Sequence, residues 1–274
     1  MEKNRADELE YIASEVRKDI VRMVGVARSG PLETPFVISS LLVYLYWEEL
    51  LVVADNPGRS DRDRFMLGMS CGIPALYSVL ARRGYFERED LWHYRRLGAM
   101  LQSIPDYKRT PGIDAPLAEN GNELAVASAL NESLKKDGFD SRVFCLLDEE
   151  IFYDPDFIME AKRAADEKLD HLVLLIAMPL IPQSGHCREF YEHQNSLSEI
   201  GWTVSVTDGN CFYDMEKIFR DMDINNGSPK AVFVNMKDGT EMPLVRSRIS
   251  GKSMTLSLDD IDQALEELEG KTNE

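Results

Sequence analysis

Four short apolar stretches decide the fold of this 274-residue chain: RVFCLL (142–147), HLVLLIA (171–177), WTVSVT (202–207) and KAVFVN (230–235). They are nearly continuously apolar and rich in β-branched residues, which is typical of strands in a parallel sheet covered on both faces. Helical patterns separate them, so the chain consists of successive strand–helix–strand units. We therefore predict an α/β fold with a doubly wound, mostly parallel sheet and helices on both faces.

The rest of the chain is predicted to be helical, apart from one long loop. Apolar residues at three- to four-residue spacing in 5–27 indicate an amphipathic helix. Further helices are predicted at 37–51, 74–83, 87–98, 124–136, 155–168, 187–200, 213–222 and 257–269. The stretch 103–123 is rich in Pro, Gly, Asp and Asn, and loops of that length are usually functional or disordered. Neither a repeat nor a linker interrupts the pattern, so we interpret residues 1–274 as one domain.

Composition and charge exclude several classes of partner. With 31 basic and 48 acidic residues the net charge is −17, which argues against nucleic acid and anionic membranes because both repel such a surface. The N-terminus is charged from its second residue, and the longest apolar run, 172–181, is too short to span a bilayer. We therefore expect a cytoplasmic protein with neither a nucleic-acid nor a membrane partner.

In such a sheet ligands bind beyond the carboxyl ends of the strands, so the residues there are candidate site residues. The first predicted strand is followed by DEEIFYDPDF (148–157). Helix capping explains part of this acidic run, with Asp154 as N-cap, Pro155 at the first helical position and Asp156 in the first turn. Capping does not explain the three carboxylates that come before them, Asp148, Glu149 and Glu150. A binding site for a hard metal ion is the alternative for these three. The glycine-rich nucleotide-binding patterns follow none of the strands.

Many segments of the chain resemble the N-terminal domain of transketolases, and more narrowly the short type in which the enzyme is split into two chains. The likeness runs from about residue 8 to 240 and rests on ELEYIASEVRKDIVRMVGVARSG (8–30), LLVYLYWEEL (41–50), DRDRFML (61–67), PALYSVLARRGYF (74–86), RRLGAMLQS (95–103), TPGIDA (110–115) and GWTVSVTDGN (201–210). The resemblance implies the diphosphate-binding half of a thiamine diphosphate enzyme. It also implies a separate C-terminal, pyrimidine-binding subunit, in a heteromer built on a dimer. Thiamine diphosphate with Mg²⁺ or Ca²⁺ would lie between the two chains and support ketol transfer between sugar phosphates.

The chain departs from that family at the histidines. The family motifs S-G-H-P-G-G, S-K-G-H-G and G-H-P-D fall on residues 29–34, 68–72 and 103–106. Their histidines are replaced by Pro31, Cys71 and Ile104, and a lysine is lost with the second of them. Histidine serves as acid and base because its pKa lies near neutrality, and none of the replacements can do so. Cys71 alone has nucleophilic potential, without a histidine near it in sequence.

The diphosphate and metal motifs have also changed. The family's G-S-L-G-Q-G, G-D-G-E and H-T-x-K-G fall on 118–123, 148–151 and 235–239, and its metal-binding asparagine falls on Pro179. Glycines at such points let backbone N–H groups approach a phosphate, whereas added carboxylates repel it. The degenerate positions that remain as candidate cofactor ligands are Gly121, Asn122 and Glu149, with Glu149 the candidate metal ligand.

The packing motifs are thus kept while the strand-end chemistry is lost. We predict a transketolase-like N-terminal subunit without catalytic residues and without a bound cofactor, acting as a non-catalytic or repurposed partner of a C-terminal transketolase-like chain. Two alternatives stay open. One is an active thiamine diphosphate enzyme with Mg²⁺ or Ca²⁺ in an unorthodox site. The other is a repurposed pocket, in which the acidic strand ends favour a cation or an amine over a sugar phosphate.

Overall fold

A computed structural model of the chain describes residues 1–117, 122–179, 187–222, 225–236 and 256–272. Its α-helices are α1 (Lys3–Ala27), α2 (Glu33–Tyr44), α3 (Ile73–Arg82), α4 (Glu123–Lys136), α5 (Phe157–Asp166), α6 (Cys187–Glu199), α7 (Phe212–Arg220) and α8 (Leu258–Thr272). Its strands are β1 (Arg64–Leu67), β2 (Val143–Asp148), β3 (Leu172–Pro179), β4 (Thr203–Asp208) and β5 (Lys230–Met236). Shorter helices of 3₁₀ type lie at Ser70–Gly72, Arg88–His93 and Glu149–Tyr153, and a π-helix at Leu45–Glu49 continues α2.

The five strands form one parallel sheet in the order β1-β2-β3-β5-β4. Val143 pairs with Leu172 at the start of β2 and β3, and Asp148 pairs with Ala177 near their ends. Because all strands run the same way, their carboxyl ends lie along one edge of the sheet. The predicted parallel α/β sheet is confirmed.

Helices cover both faces of this sheet, because alternate strand residues point to opposite sides. On one face Phe144 and Leu146 of β2 belong to a core shared with α1, α2, α3, α7 and α8. On the other face Val143, Cys145 and Leu147 belong to a second core shared with α4, α5 and α6. This three-layer arrangement is the doubly wound architecture that the strand and helix patterns predicted.

The first strand of the sheet was not predicted. β1 is only four residues long and follows a run of charged residues, so neither its length nor its surroundings resemble a buried strand.

The helix predicted at 87–98 is wrong, because this segment forms the 3₁₀-helix Arg88–His93 followed by turns. Arg95 there adopts a positive φ of 61°, which a continuous right-handed helix does not allow.

The long N-terminal helix has the amphipathic pattern that its sequence indicated. Leu9, Ala13, Val16 and Ile20 lie on one stripe of α1 and are fully buried. These residues pack into the core that α1 shares with α2 and α3, while Glu8 and Glu10 on the same helix are exposed. Across the described ranges, we find no helix with the length and apolar character needed to cross a bilayer.

Candidate functional site

Two adjoining cavities lie at the carboxyl edge of the sheet. The larger, which we call the acidic cavity, has a volume of about 560 Å³ and is lined by Gly68, Glu123, Leu147, Asp148, Glu150, Ile151, Asp154 and Pro155. The smaller, which we call the apolar cavity, has about 200 Å³ and is lined by Glu33, Thr34, Val37, Ile38, Met69, Cys71, Asp148, Ala177, Met178 and Met236. Asp148, the last residue of β2, borders both cavities.

Glu123 lies over the end of β1 because the residue that follows this strand is a glycine. A Cβ atom at Gly68 would lie 2.9 Å from Cγ of Glu123 and 2.1 Å from Cδ2 of Leu147. Real Cβ atoms do not make contacts that short, so a side chain here would displace both neighbours. The absent side chain at Gly68 therefore gives Glu123, the first residue of α4, its place on the wall of the acidic cavity.

Glu123 is a buried carboxyl group with an unsatisfied oxygen. The residue is 8% exposed, and its Oε2 has no hydrogen-bond partner among the residues that the structure describes. Burial raises the pKa of Glu123, a backbone hydrogen bond offsets part of that rise, and the charges of Asp148 and Asp154 add to it. An unsatisfied buried polar atom costs stability and requires an explanation, which is either structural or functional.

The two aspartates that line the same cavity have local hydrogen bonds. Oδ1 of Asp148 accepts a bond of 3.1 Å from the backbone N–H of Glu150 and so caps the 3₁₀-helix after β2. Burial, followed by the charge of Glu150, raises the pKa of Asp148. Asp154 accepts a bond of 2.8 Å from the backbone N–H of Asp156, as an N-cap would. The helix itself, α5, begins at Phe157 with Asp156 in the N-cap position, two residues later than predicted.

Replacing Glu123 by glutamine should stabilise the folded chain at neutral pH. The pKa of Glu123 in the folded chain lies above the usual value of 4.5. The protonated side chain therefore contributes stability that is fully present below the pKa of the unfolded state. That contribution is lost as the pH rises through the pKa of the folded state. Glutamine keeps the shape and carries no charge, and we expect it to raise the free energy of unfolding by about 1 kcal/mol at pH 7. The difference should vanish below about pH 4, as measured by urea denaturation across pH.

The matched control is Glu266→Gln, which removes the same charge from an exposed position on α8. It should change the free energy of unfolding by less than about 0.5 kcal/mol at either pH. A Glu123→Gln variant that is less stable than the parent at pH 7 would show that the carboxylate has a stabilising partner.

Sulfur-containing side chains contribute much of the described lining of the apolar cavity. Met69, Cys71, Met178 and Met236 contribute four of its ten lining residues. Cys71 is half-buried, and the described residues lining this cavity include no histidine that would act as its base. The other two family histidine positions do not line either cavity, and Ile104 is 60% exposed. Apart from Glu33, Thr34 and Asp148, the lining of this cavity is suited to hydrocarbon groups.

Of the three predicted cofactor positions, two lie within the described residues. Gly121 lies outside the described residues. Asn122 occupies the N-cap position of α4, and its side chain makes no capping hydrogen bond. Glu149 begins the 3₁₀-helix after β2, is half-buried and lines neither cavity. Within the described part of the chain, no three His, Cys, Asp or Glu side chains are arranged to hold a metal ion. The ligand roles of these residues stay predictions.

The described walls of the two cavities do not fit a diphosphate with its metal ion. Carboxylates line both cavities, and none of the described residues around either one is Lys, Arg or His. Asp148 stands where the family motif has a glycine, and its carboxyl group, rather than a bare backbone N–H, borders the space. An anion placed there meets Coulomb repulsion that partial burial strengthens.

Reasoning from the sequence identified Asp148 and missed the importance of Glu123. Glu123 appeared only as the last position of a degenerate glycine motif at the predicted start of a helix, where an acidic residue is ordinarily explained by the helix dipole. Nothing in the local sequence indicates that it is buried. The replacement of three family glycines by carboxylates, at Glu123, Asp148 and Glu150, was the available signal that these positions act together.

Comparison with known proteins places these features in a family. The family described as "Transketolase, thiamine diphosphate binding domain" matches residues 10–271. The SqwG chain of a 6-deoxy-6-sulfo-D-fructose transketolase from Clostridium sp. (strain MSTE9) is 25% identical over 265 residues, which cover 96% of this chain and 96% of that protein. One subunit of an apulose-4-phosphate transketolase from Phocaeicola vulgatus is 25% identical over 238 residues, covering 86% of this chain and 84% of that protein.

Solved structures give the same fold. Transketolase from Campylobacter jejuni superposes with a TM-score of 0.81 at 20% identity, covering 98% of this chain and 43% of that one. Transketolase from Leishmania mexicana gives a TM-score of 0.72 at 17% identity, covering 97% and 45%. The chain thus spans less than half the length of these two transketolases, while it matches nearly the whole of the short subunits. The chain therefore belongs to the family of the transketolase thiamine diphosphate binding domain, and the relatives that it matches over nearly their whole length are named as transketolase subunits.

Proposed function

We propose that this chain is the N-terminal subunit of a split, transketolase-like assembly in which the standard diphosphate–metal site has been replaced. It acts as a non-catalytic or repurposed partner of a C-terminal, pyrimidine-binding-type chain, in a cytoplasmic heteromer built on a dimer. The relatives of equal length support the assembly, because their names describe them as transketolase subunits. Residues 1–274 form the single domain that this chain contributes.

The replacement of the site rests on the acidic cavity. Glu123, Asp148 and Glu150 bring three carboxyl groups to positions where the family motifs have glycines, and all three residues line the same cavity. A diphosphate needs hydrogen-bond donors and positive charge, which the described walls of this cavity do not supply. We therefore derive no catalytic step through thiamine diphosphate from these residues.

A second candidate is an active thiamine diphosphate-dependent transketolase with an unorthodox site. The description of the family favours it, since a thiamine diphosphate binding domain points to that cofactor rather than to our prediction of none. Glu149, which follows the last residue of β2, is the metal ligand that the sequence predicts for this candidate. In this candidate the partner chain supplies the positive charge that the described cavity walls lack.

Titration of thiamine diphosphate with Mg²⁺ into the full chain separates the two candidates. We expect no binding heat up to millimolar cofactor, because the carboxylates repel the diphosphate. The same titration is made on the complex that the chain forms when it is co-expressed with a C-terminal, pyrimidine-binding-type chain. There, too, we expect no heat that depends on both thiamine diphosphate and Mg²⁺.

The control is the triple variant Glu123→Gly, Asp148→Gly, Glu150→Gly, which restores the family's residue type at all three positions. If repulsion excludes the cofactor, this variant should bind it more tightly than the parent chain does. Micromolar binding by the parent chain or by its complex would contradict the proposed function and establish the second candidate. A chain that stays a functional monomer without a partner would contradict the subunit role.

A further inference from the structure

We propose that an exposed basic and apolar surface beside the apolar cavity binds an acidic face of the C-terminal chain. We call it the basic surface, and it consists of the exposed residues of the segments 95–97 and 104–109 together with Arg28. This inference rests on the proposed function, since it assigns to that subunit the surface through which it contacts its partner. It draws on the unpaired charges of the basic surface, its exposed apolar side chains and its position.

The first support is unpaired positive charge on an acidic protein. The stretch 94–110 contains four basic residues and one acidic residue, whereas the whole chain has 31 basic and 48 acidic residues. The exposed cations of the basic surface are Arg28, Arg95, Arg96, Lys108 and Arg109. None of these five forms an ion pair with a carboxylate that the structure describes. They favour a partner whose facing surface carries carboxylates, because complementary charges guide association and fix its orientation.

The second support is a set of apolar side chains exposed within the same surface. Leu97 is 105% exposed, and Ile104 and Tyr107 are exposed as well. Leu97 lies in a turn between Arg96 and Gly98, so solvent surrounds it on the outside of the molecule. Apolar side chains within a rim of charged ones are typical of protein–protein interfaces, in which the apolar centre becomes buried and the rim stays polar. The basic surface therefore fits another protein rather than a small ion.

The third support is a backbone that holds the basic surface beside the apolar cavity. Arg28 and Arg95 adopt positive φ angles of 52° and 61°, which are uncommon in residues other than glycine and cluster at functional sites. The backbone N–H of Arg95 donates to the carbonyl of Leu101 over 2.9 Å, and its Nη1 donates to Oγ of Ser29 over 3.1 Å. Ser29 comes four residues before Glu33, which begins α2 and lines the apolar cavity. A partner bound to the basic surface therefore lies next to this cavity.

The charge of the basic surface distinguishes between possible partners. A twofold dimer of this chain with the surface on its axis would place the surface against itself, so that five cations would face five others. Nucleic acid and anionic membranes match the cations locally, but the net charge of −17 repels both. A C-terminal chain with carboxylates and an apolar pocket on its facing surface satisfies both the cations and Leu97.

Binding of the full chain to the C-terminal, pyrimidine-binding-type chain of the same organism, measured by biolayer interferometry, tests the inference. We expect the affinity to fall at least about fivefold in Arg96→Glu and at least about tenfold in Leu97→Asp. Arg96→Lys keeps the charge and should bind within about threefold of the parent chain. Raising NaCl from about 0.05 to about 0.5 M should weaken binding by about tenfold, because salt screens exposed charges.

The matched controls are Lys162→Glu and Met159→Asp, which make the same kinds of change at exposed positions of α5. This helix packs on the opposite face of the sheet from Tyr94 and Leu101, which anchor the segment 95–97 in the core. Both controls should leave the affinity unchanged. Thermal melts that match the melt of the parent chain show that each variant is folded.

A complex whose affinity is unchanged by Arg96→Glu, by Leu97→Asp or by salt would overturn the inference, while the subunit role would stand. Self-association of the chain alone that Leu97→Asp abolishes would assign the basic surface to a second copy. Binding to phosphatidylserine vesicles that Arg96→Glu abolishes would assign it to a membrane, and either result would also overturn the inference. If the two parent chains form no complex, the proposed subunit role fails together with the inference, so the two failures are distinguishable.

Discussion

Replacing Asp114 by asparagine is expected to lower the free energy of unfolding by about 3–5 kcal/mol. The side chain is 5% exposed and forms a two-pronged ion pair with Arg62, which is 7% exposed. Nη1 of Arg62 donates to Asp114 over 3.0 Å, Nη2 donates to the other carboxylate oxygen, and the backbone N–H of Phe65 donates over 3.0 Å. Asparagine keeps the shape and leaves the buried guanidinium group without its counter-charge.

Urea denaturation measures this loss, and Asp61→Asn is its control. Asp61 pairs with Arg59 shortly before β1 begins, and both side chains are about half exposed, at 50% and 47%. Solvent screens such a pair, so its loss should cost less than about 1 kcal/mol. Equal effects of the two substitutions would show that the burial of the Asp114 pair contributes nothing. Asp114 also ties the loop that contains it to β1, because it accepts from the backbone N–H of Phe65.

The sequence predicted those strands whose own residues are apolar enough to indicate that they are buried. KAVFVN became β5, in the middle of the sheet, where all but one of its residues are buried. WTVSVT became β4, whose more polar residues suit its exposed position at the edge of the sheet. This contrast in polarity was the available indication that β5 lies between β3 and β4 at the edge, although β4 comes before β5 in the chain.

The strand that was missed depends on residues far away in sequence. β1 follows Arg62 and Asp63, which resemble a solvated charge cluster and are in fact buried. Arg62 pairs with Asp114, 52 residues on, and Asp63 accepts a bond of 2.7 Å from Arg142, 79 residues on. A local pattern of charges cannot show that its partners come from a loop and from the residue that precedes β2. The same limit hid Glu123, whose burial depends on Gly68 and Leu147.

Asp19→Asn is expected to lower the free energy of unfolding by about 3 kcal/mol. Asp19 lies on α1 and its side chain is fully buried, at 0% exposure. Nε of Arg82, in the last turn of α3, donates to it over 2.6 Å, and Nη2 of Arg88 donates over 2.5 Å. One carboxylate thus joins α1 to α3 and to the 3₁₀-helix that follows. We expect the lower end of the usual range because Arg88 is 41% exposed, so water can hydrate its charge when the aspartate is lost.

Two further variants decide whether the charge or the packing of Asp19 is responsible. Asp7→Asn removes an aspartate from the exposed face of the same helix and should change the free energy of unfolding by less than about 0.5 kcal/mol. Asp19→Leu combined with Arg82→Met replaces charged groups by apolar ones, and it should be less destabilising than the sum of the two single changes because neither partner is left buried and unpaired. If the losses of unfolding free energy in the two single variants add up to the loss in the double variant, a direct Asp19–Arg82 interaction is contradicted. The junction between α1 and α3 would then depend on Arg88 and on apolar packing, such as that of Val16 and Ile20, which are fully buried in the same core.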